Sequence, residues 1–405
     1  MMDINTAKQQ VIDAGNRLVA QGLISRTWGN VSCRIDDKSF VITPSGKPYD
    51  TLTPEQIVLL DIETLAYDGD VKPSGEKGVH AEVYKARPEI NFVIHTHQVN
   101  ASVMSALHSD IRYIPADAAK IIGTNVPFAS YGLPGTKTLM AGVAAALKRR
   151  GTKAILMAHH GTLCFGEDSD KAFEAALVLE DVCALQIYTH FKKIYGSDID
   201  TIGQFVEKIA EKETGCNPVQ TEPSCKSRRD GNRFILSYSD TGKAPLTVDI
   251  AAGKAAGGEK LPAEAELHRA VYAKRKDINC IIHARGTELT AASCFNKTLK
   301  PQVDDFAQIV GADARCAAFD AKDAEKSAAR CVKAMKGRHG LLLKNDGALC
   351  CGPDESDAAA VEMIMEKNSL AFLGTILFNV YRPISASHSH LMRFIYLKKY
   401  SKQAK

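Results

Sequence analysis

The sequence predicts an α/β protein made of two tandem copies of one layered domain. Two observations carry this: short apolar runs alternate with helix-period segments, and the chain matches itself at a nearly constant offset. Glu76, His80 and Tyr84 recur as Glu264, His268 and Tyr272. The run Ile90 to His97 recurs as Ile278 to Arg285, again 188 residues on. Leu156 to Gly166 recurs as Leu342 to Gly352, at an offset of 186. These boundaries predict domains over 1–213 and 231–405, each about 200 residues and so of ordinary size. The stretch 214–230 holds Gly, Pro, Ser, Asn and charges and reads as a linker. The second copy reads as truncated at its start, with no counterpart of Trp28 to Ser32.

Within the first copy, residues 5–22 carry helical spacing at Val11, Ile12, Ala14, Leu18 and Val19. Phe40–Thr43, Ile57–Ile62, Phe92–His97 and Ala154–His159 are short apolar runs with turn signals around them, as strands require. Glu167 to Asp170 is an N-cap cluster that opens a further helix through Phe173, Ala176, Leu177 and Val182.

Composition narrows the function. The 405 residues are 45% hydrophobic and 24% charged, which excludes a disordered chain. The net charge of +4 is too small for a dedicated nucleic-acid binder. The longest apolar run, Leu370 to Phe378, is too short to span a bilayer, so no membrane partner is expected. No secretory leader is visible, and the eleven cysteines form no framework, so a reducing cytoplasm is the expected location. Cys216 and Cys225 are close enough in sequence to pair, though nothing requires it.

Chemistry concentrates in the first copy. His95 and His97 are two apart on a strand, so their side chains point to one face and both imidazoles can reach one metal ion. An ordinary histidine pair has the same spacing. Of His159 and His160 only one can face that side, and His160, beside Gly161, is the better placed. Glu76 opens a helix with His80 one turn on; a carboxylate there can move a proton beside a cation, or simply sit at the helix dipole. The loops at Trp28 to Ser32, Thr43 to Gly46 and Pro73 to Gly75 offer backbone N–H groups and hydroxyls suited to phosphate oxygens.

Taken in order and spacing, Gly29-Asn30-Val31-Ser32, Thr43-Pro44-Ser45-Gly46, Pro73-Ser74-Gly75-Glu76, His80, Tyr84, His95-Thr96-His97 and His160-Gly161 resemble the class II aldolase/adducin family, strongly over residues 5–213 and weakly over 231–405. The resemblance implies a three-layer α/β/α domain around a mainly antiparallel sheet. It implies zinc, or another divalent cation such as manganese or cobalt, on His95, His97 and His160, with Glu76 as acid/base. It assigns Thr27, Gly29, Asn30, Ser45, Gly46, Ser74 and Gly75 to the phosphate of a small sugar substrate. The implied activity is cleavage of a ketose 1-phosphate, of the L-fuculose 1-phosphate kind, to dihydroxyacetone phosphate and an aldehyde through a metal-stabilised enediolate. Relatives include 4-epimerases, dehydratases and non-catalytic adducin-like scaffolds, which stand as alternatives.

Departures from the pattern matter. Gly75 replaces a hydroxyl residue, Trp28 adds bulk, and Ala116 stands at a tyrosine position. Asp117, next to it, resembles an epimerase acid but equally suits a helix cap. In the second copy His97 becomes Arg285 and His160 becomes Asp346, so that copy reads as metal-free. Its tail, Phe394 to Tyr400, resembles an aldolase tail that carries a catalytic tyrosine. One expectation is that Tyr400 serves a first-copy site while two chains form a pseudo-fourfold ring, the other that Tyr400 is a frayed tail; a larger homo-oligomer is the alternative to the dimer.

Overall fold

A computed structural model describes residues 2–24, 28–219, 222–239 and 241–400, with the backbone alone for Lys399 and Tyr400. The chain divides into two compact units. One comprises residues up to His190 together with those from Leu397; the other is Phe191–Tyr396.

Among the described residues the first unit has seven strands: β1 (Asn30–Arg34), β2 (Ser39–Ile42), β3 (Val58–Asp61), β4 (Phe92–Thr96), β5 (Phe128–Ala129), β6 (Ala154–Met157) and β7 (Gly161–Gly166). They form one sheet in the order β3-β2-β1-β4-β7-β6-β5. Only the β5–β6 pairing is parallel. Every residue of β1, β4, β6 and β7 is buried, so both faces of the sheet are covered. The helices of this unit are α1 (Ile4–Ala20), α2 (Lys77–Ala86), α3 (Val99–Ser105), α4 (Ala116–Ile122), α5 (Lys137–Leu147) and α6 (Ser169–Tyr195). The predicted apolar stripe of α1 is buried at Val11, Ile12, Ala14 and Leu18, and the Asp3 side chain caps it by accepting from Thr6 N. Val19 falls off the stripe and is exposed. One core joins Phe40, Val79, Tyr84, Val93, Ile155 and Phe165.

The second unit repeats the plan. Strands β8 (Cys225–Asp230), β9 (Arg233–Tyr238), β10 (Leu246–Asp249), β11 (Lys254–Ala255), β12 (Cys280–Ala284), β13 (Cys316–Ala317), β14 (Gly340–Leu343) and β15 (Ala348–Gly352) are ordered β11-β10-β9-β8-β12-β15-β14-β13. Apart from the added β11, this is the first sheet's order, with one parallel pair at the same edge. Its helices are α7 (Ile202–Thr214), α8 (Ala263–Lys274), α9 (Thr287–Cys294), α10 (Asp304–Ile309), α11 (Ala324–Ala334), α12 (Glu355–Leu377) and α13 (Ala386–Ile395). Helix α7 buries Phe205, Val206, Ile209 and Ala210, and packs with α9 and α12. The α/β class and the two-copy arrangement are therefore as the sequence predicts.

Two segments differ from that reading. Trp28 to Ser32 reads as a loop, yet β1 begins at Asn30; its polar residues are buried and bonded rather than exposed. Likewise β8 lies inside the stretch read as a linker. It pairs with β12 with Cys225 opposite His283, as Asn30 is opposite His95. Cys225-Lys226-Ser227 is thus the counterpart of Asn30-Val31-Ser32 that the second copy was expected to lack. The strand is disguised because Lys226, Arg228 and Asp230 face outward in alternation with buried Cys225 and Ser227. Cys216 bonds to Cys294, not to Cys225, and the remaining nine cysteines are reduced. Among the described residues no helix is long and apolar enough to cross a membrane.

Candidate active site

Four first-unit elements bring one acid and three imidazoles together. His95 is the last but one residue of β4, and His97 follows the strand; their rings lie 4.7 Å apart, with the two Nε2 atoms separated by 2.9 Å. His160 sits in the turn between β6 and β7 and stacks on His95 at 4.9 Å, the planes 7° apart. Gly161 makes this approach possible: it has φ +145°, and a Cβ there would lie 2.3 Å from Thr96 O. His159 turns away at φ +58°, and its Nε2 lies 2.7 Å from His108 Nε2. Glu76, the residue before α2, places Oε1 2.5 Å from His160 Nε2 and Oε2 3.1 Å from His95 Nε2. Burial alone would raise the Glu76 pKa, but the imidazoles of His160 and His95 outweigh it and hold the carboxyl well below its usual range.

These residues fit a divalent cation. His95 Nδ1 donates to Thr162 O at 2.8 Å, so the neutral ring would present its Nε2 lone pair to a cation. That lone pair faces a second imidazole nitrogen and a carboxylate oxygen. Such a convergence of donors is repulsive unless a positive charge sits among them. Ligand atoms of His95, His97 and His160 all lie within 4.8 Å of one another.

A buried chain of hydrogen bonds holds Glu76. Asn30 Nδ2 donates to Glu76 Oε2 at 2.9 Å. The amide oxygen of Asn30 accepts from His80 Nε2 at 2.5 Å. Burial, reinforced by His95, pushes His80 down to about 3, so its other nitrogen is a lone-pair acceptor and takes the Ser32 hydroxyl at 2.7 Å. Tyr84, kept protonated by burial, donates to Ser32 Oγ at 2.7 Å. Arg34, on the same strand as Ser32, ties down the carbonyls of Tyr84, Arg87 and Ile90. The sequence marks Ser32 only as part of a loop motif, not as a member of this buried chain, and does not mark Arg34. Their recurrence as Ser227 and Arg229 was the available signal, hidden because the offset there is 195 rather than 188.

The remaining expected residues fall in four groups. The loops with Ser45, Gly46, Ser74 and Gly75 lie against each other: Ser45 N donates to Lys72 O, and Ser74 N to Thr43 O. Ser74 Oγ also accepts from Glu76 N at 3.2 Å, which puts these loops beside the acid. Gly29, at φ +104°, has no room for a Cβ, which would lie 2.7 Å from His95 O. Asp117 is not brought to the cluster: it is solvated on α4 and pairs with Lys120 at 2.6 Å. Thr27 and the side chain of Tyr400 lie outside the described residues.

In the second unit Arg285 follows β12 where His97 follows β4. Its Nε bonds Asp346 at 2.6 Å and its Nη2 reaches Glu264 at 3.3 Å. The guanidinium supplies positive charge among the counterparts of Glu76 and His160.

A scaffold of this topology, with three imidazoles and a carboxylate converging, is an α/β domain with a group of side chains that could hold a metal ion. The chain belongs to the class II aldolase and adducin family, whose N-terminal domain pattern matches residues 9–187 and 239–370. L-fuculose phosphate aldolase of Escherichia coli (strain K12) is 36% identical over 188 residues, 46% of this chain and 86% of that protein. The 5-deoxy-D-ribulose 1-phosphate aldolase of Bacillus thuringiensis serovar kurstaki is 32% identical over 198 residues, 48% of this chain and 89% of the relative. A solved L-fuculose-1-phosphate aldolase from Thermus thermophilus is 27% identical, with a TM-score of 0.40, covering 48% of this chain and 98% of that one.

Proposed function

We propose that the chain is a metal-dependent aldolase that cleaves a ketose 1-phosphate to dihydroxyacetone phosphate and an aldehyde in its first unit. The observation that carries this is the Glu76 carboxylate held against His95 and His160 by Asn30. His95, His97 and His160 would hold the cation, with zinc suited to imidazole ligands and manganese or cobalt as substitutes. When bound, the ion supplies positive charge opposite the oxygen on which negative charge develops during cleavage.

The chain's own groups handle the protons. Cleavage breaks the C3–C4 bond: the C4 hydroxyl gives up its proton, which passes to the Glu76 carboxylate, C4 becomes the aldehyde, and the bonding electrons pass to the ketone fragment as an enediolate. Glu76, within reach of the same pocket, returns a proton to C3 and completes dihydroxyacetone phosphate; in synthesis it removes that proton. Ser45, Gly46, Ser74 and Gly75, on two joined loops beside Glu76, together with Thr27, Gly29 and Asn30, would bind the phosphate. The similarity to aldolases acting on sugar phosphates supports this substrate class.

Tyr400 would complete the site by relaying the C4 hydroxyl proton in cleavage and returning it to the aldehyde oxygen in synthesis. Support comes from the resemblance of the tail from Phe394 to Tyr400 to the aldolase tail that carries a tyrosine. The second unit, with Arg285 among its acids, would serve as a non-catalytic partner in a pseudo-fourfold homodimer. Product analysis on L-fuculose 1-phosphate and 5-deoxyribulose 1-phosphate tests the reading. Two carbon fragments support it; an isomer would mean epimerisation, and loss of water dehydration.

A further inference from the structure

We propose that the second unit holds a divalent cation of the zinc class on Cys225, His268 and His283, a ligand set that the first unit does not have. All three side chains are buried, and one ligand atom from each lies within 4.8 Å of the others. Two orphaned nitrogens point to a missing ligand. His268 is fully buried; its Nδ1 is bonded to Ser227 Oγ at 2.8 Å, while its Nε2 has no hydrogen-bond partner among the described residues. His283 is equally buried, with Nε2 near Asp346 and Nδ1 without a partner among those residues.

The comparison between units explains the orphans. At the register of Cys225 the first unit has Asn30, whose amide oxygen satisfies His80 Nε2 at 2.5 Å. The second unit keeps the serine, histidine and tyrosine of that chain, Ser227, His268 and Tyr272, but replaces the amide with a thiol. A thiol cannot reproduce the amide's two bonds, yet a thiolate beside two neutral imidazoles is a strong zinc-class donor set. Charge also balances. On binding, the Cys225 proton passes to solvent. The thiolate, Glu264 and Asp346 then carry three negative charges against the single positive charge of Arg285, leaving the pocket short of a dication's worth of charge.

Cobalt(II) added to the full chain tests this, because a thiolate ligand gives a near-ultraviolet charge-transfer band that an all-imidazole site cannot. The expected result is a band in wild type and in His97→Ala, lost in Cys225→Asn, together with one zinc ion fewer per chain in Cys225→Asn than in wild type. The asparagine variant restores the first unit's partner for the histidine, and so preserves the fold while removing the sulfur. Absence of the band from wild type, or its survival in Cys225→Asn, would overturn the proposal. The catalytic reading of the first unit stands or falls separately, since its ligands include no cysteine.

Discussion

Arg285 Nε lies 2.6 Å from Asp346 Oδ1 in the second unit, at the two positions that His97 and His160 hold in the first. One duplicated scaffold has thus been given two solutions for gathering acids in a buried pocket. In one, lone pairs converge on a place for a cation; in the other, a guanidinium pairs with the acids Asp346 and Glu264. Arg285 is 6% exposed, so its removal leaves Asp346 and Glu264 uncompensated. Arg285→Met is expected to cost on the order of 3 kcal/mol by urea unfolding. Adding Asp346→Asn should recover part of that loss, and additive losses would contradict the coupling.

Glu76→Gln separates proton transfer from metal binding. The imidazoles remain, so metal content should be unchanged, while kcat falls about 100- to 10,000-fold. Elemental analysis and steady-state kinetics on the same preparation check both halves.

Asn30 links Glu76 to the buried chain through His80, Ser32 and Tyr84. Asn30→Ala strands His80 Nε2 in the core and releases the carboxylate. It should lower stability by about 1–3 kcal/mol, and kcat should fall with it. A drop in stability with kcat intact would show that Asn30 does not position Glu76.

Much of this site was legible in the sequence, and for physical reasons. The spacing of His95 and His97 states which face a strand shows, and the self-match exposed the duplication without any fold knowledge. What escaped was whatever depended on pairing. Asn30, Ser32 and Arg34 look like loop residues until β2 and β4 flank them and their polar groups find His80 and backbone carbonyls. Cys225 and Ser227 escaped for the same reason, since lysine and arginines between and after them give the strand a linker's composition. The choice of His160 over His159 rests on a turn in which His159 takes a positive φ, which alternation along a strand does not describe.

Glu180 offers a pH test away from the site. Its carboxylate accepts from Asn100 N at 2.7 Å and Ala101 N at 3.0 Å, where α3 begins. Burial nonetheless pushes it up, from 4.5 to about 7. The folded chain therefore holds this proton more tightly than the unfolded chain, and stability should fall as pH rises from about 4.5 to about 7. The loss is on the order of 3 kcal/mol. Glu180→Gln cannot ionise and should flatten that part of the profile when unfolding is compared across the window. An unchanged slope would show that Glu180 is not its source.

The most direct test of the central claim is the divalent metal content of wild type and His97→Ala, read beside cleavage of L-fuculose 1-phosphate. The account predicts that His97→Ala binds one ion fewer per chain and releases no dihydroxyacetone phosphate. Equal metal content with cleavage intact would contradict a catalytic metal centre at His95, His97 and His160.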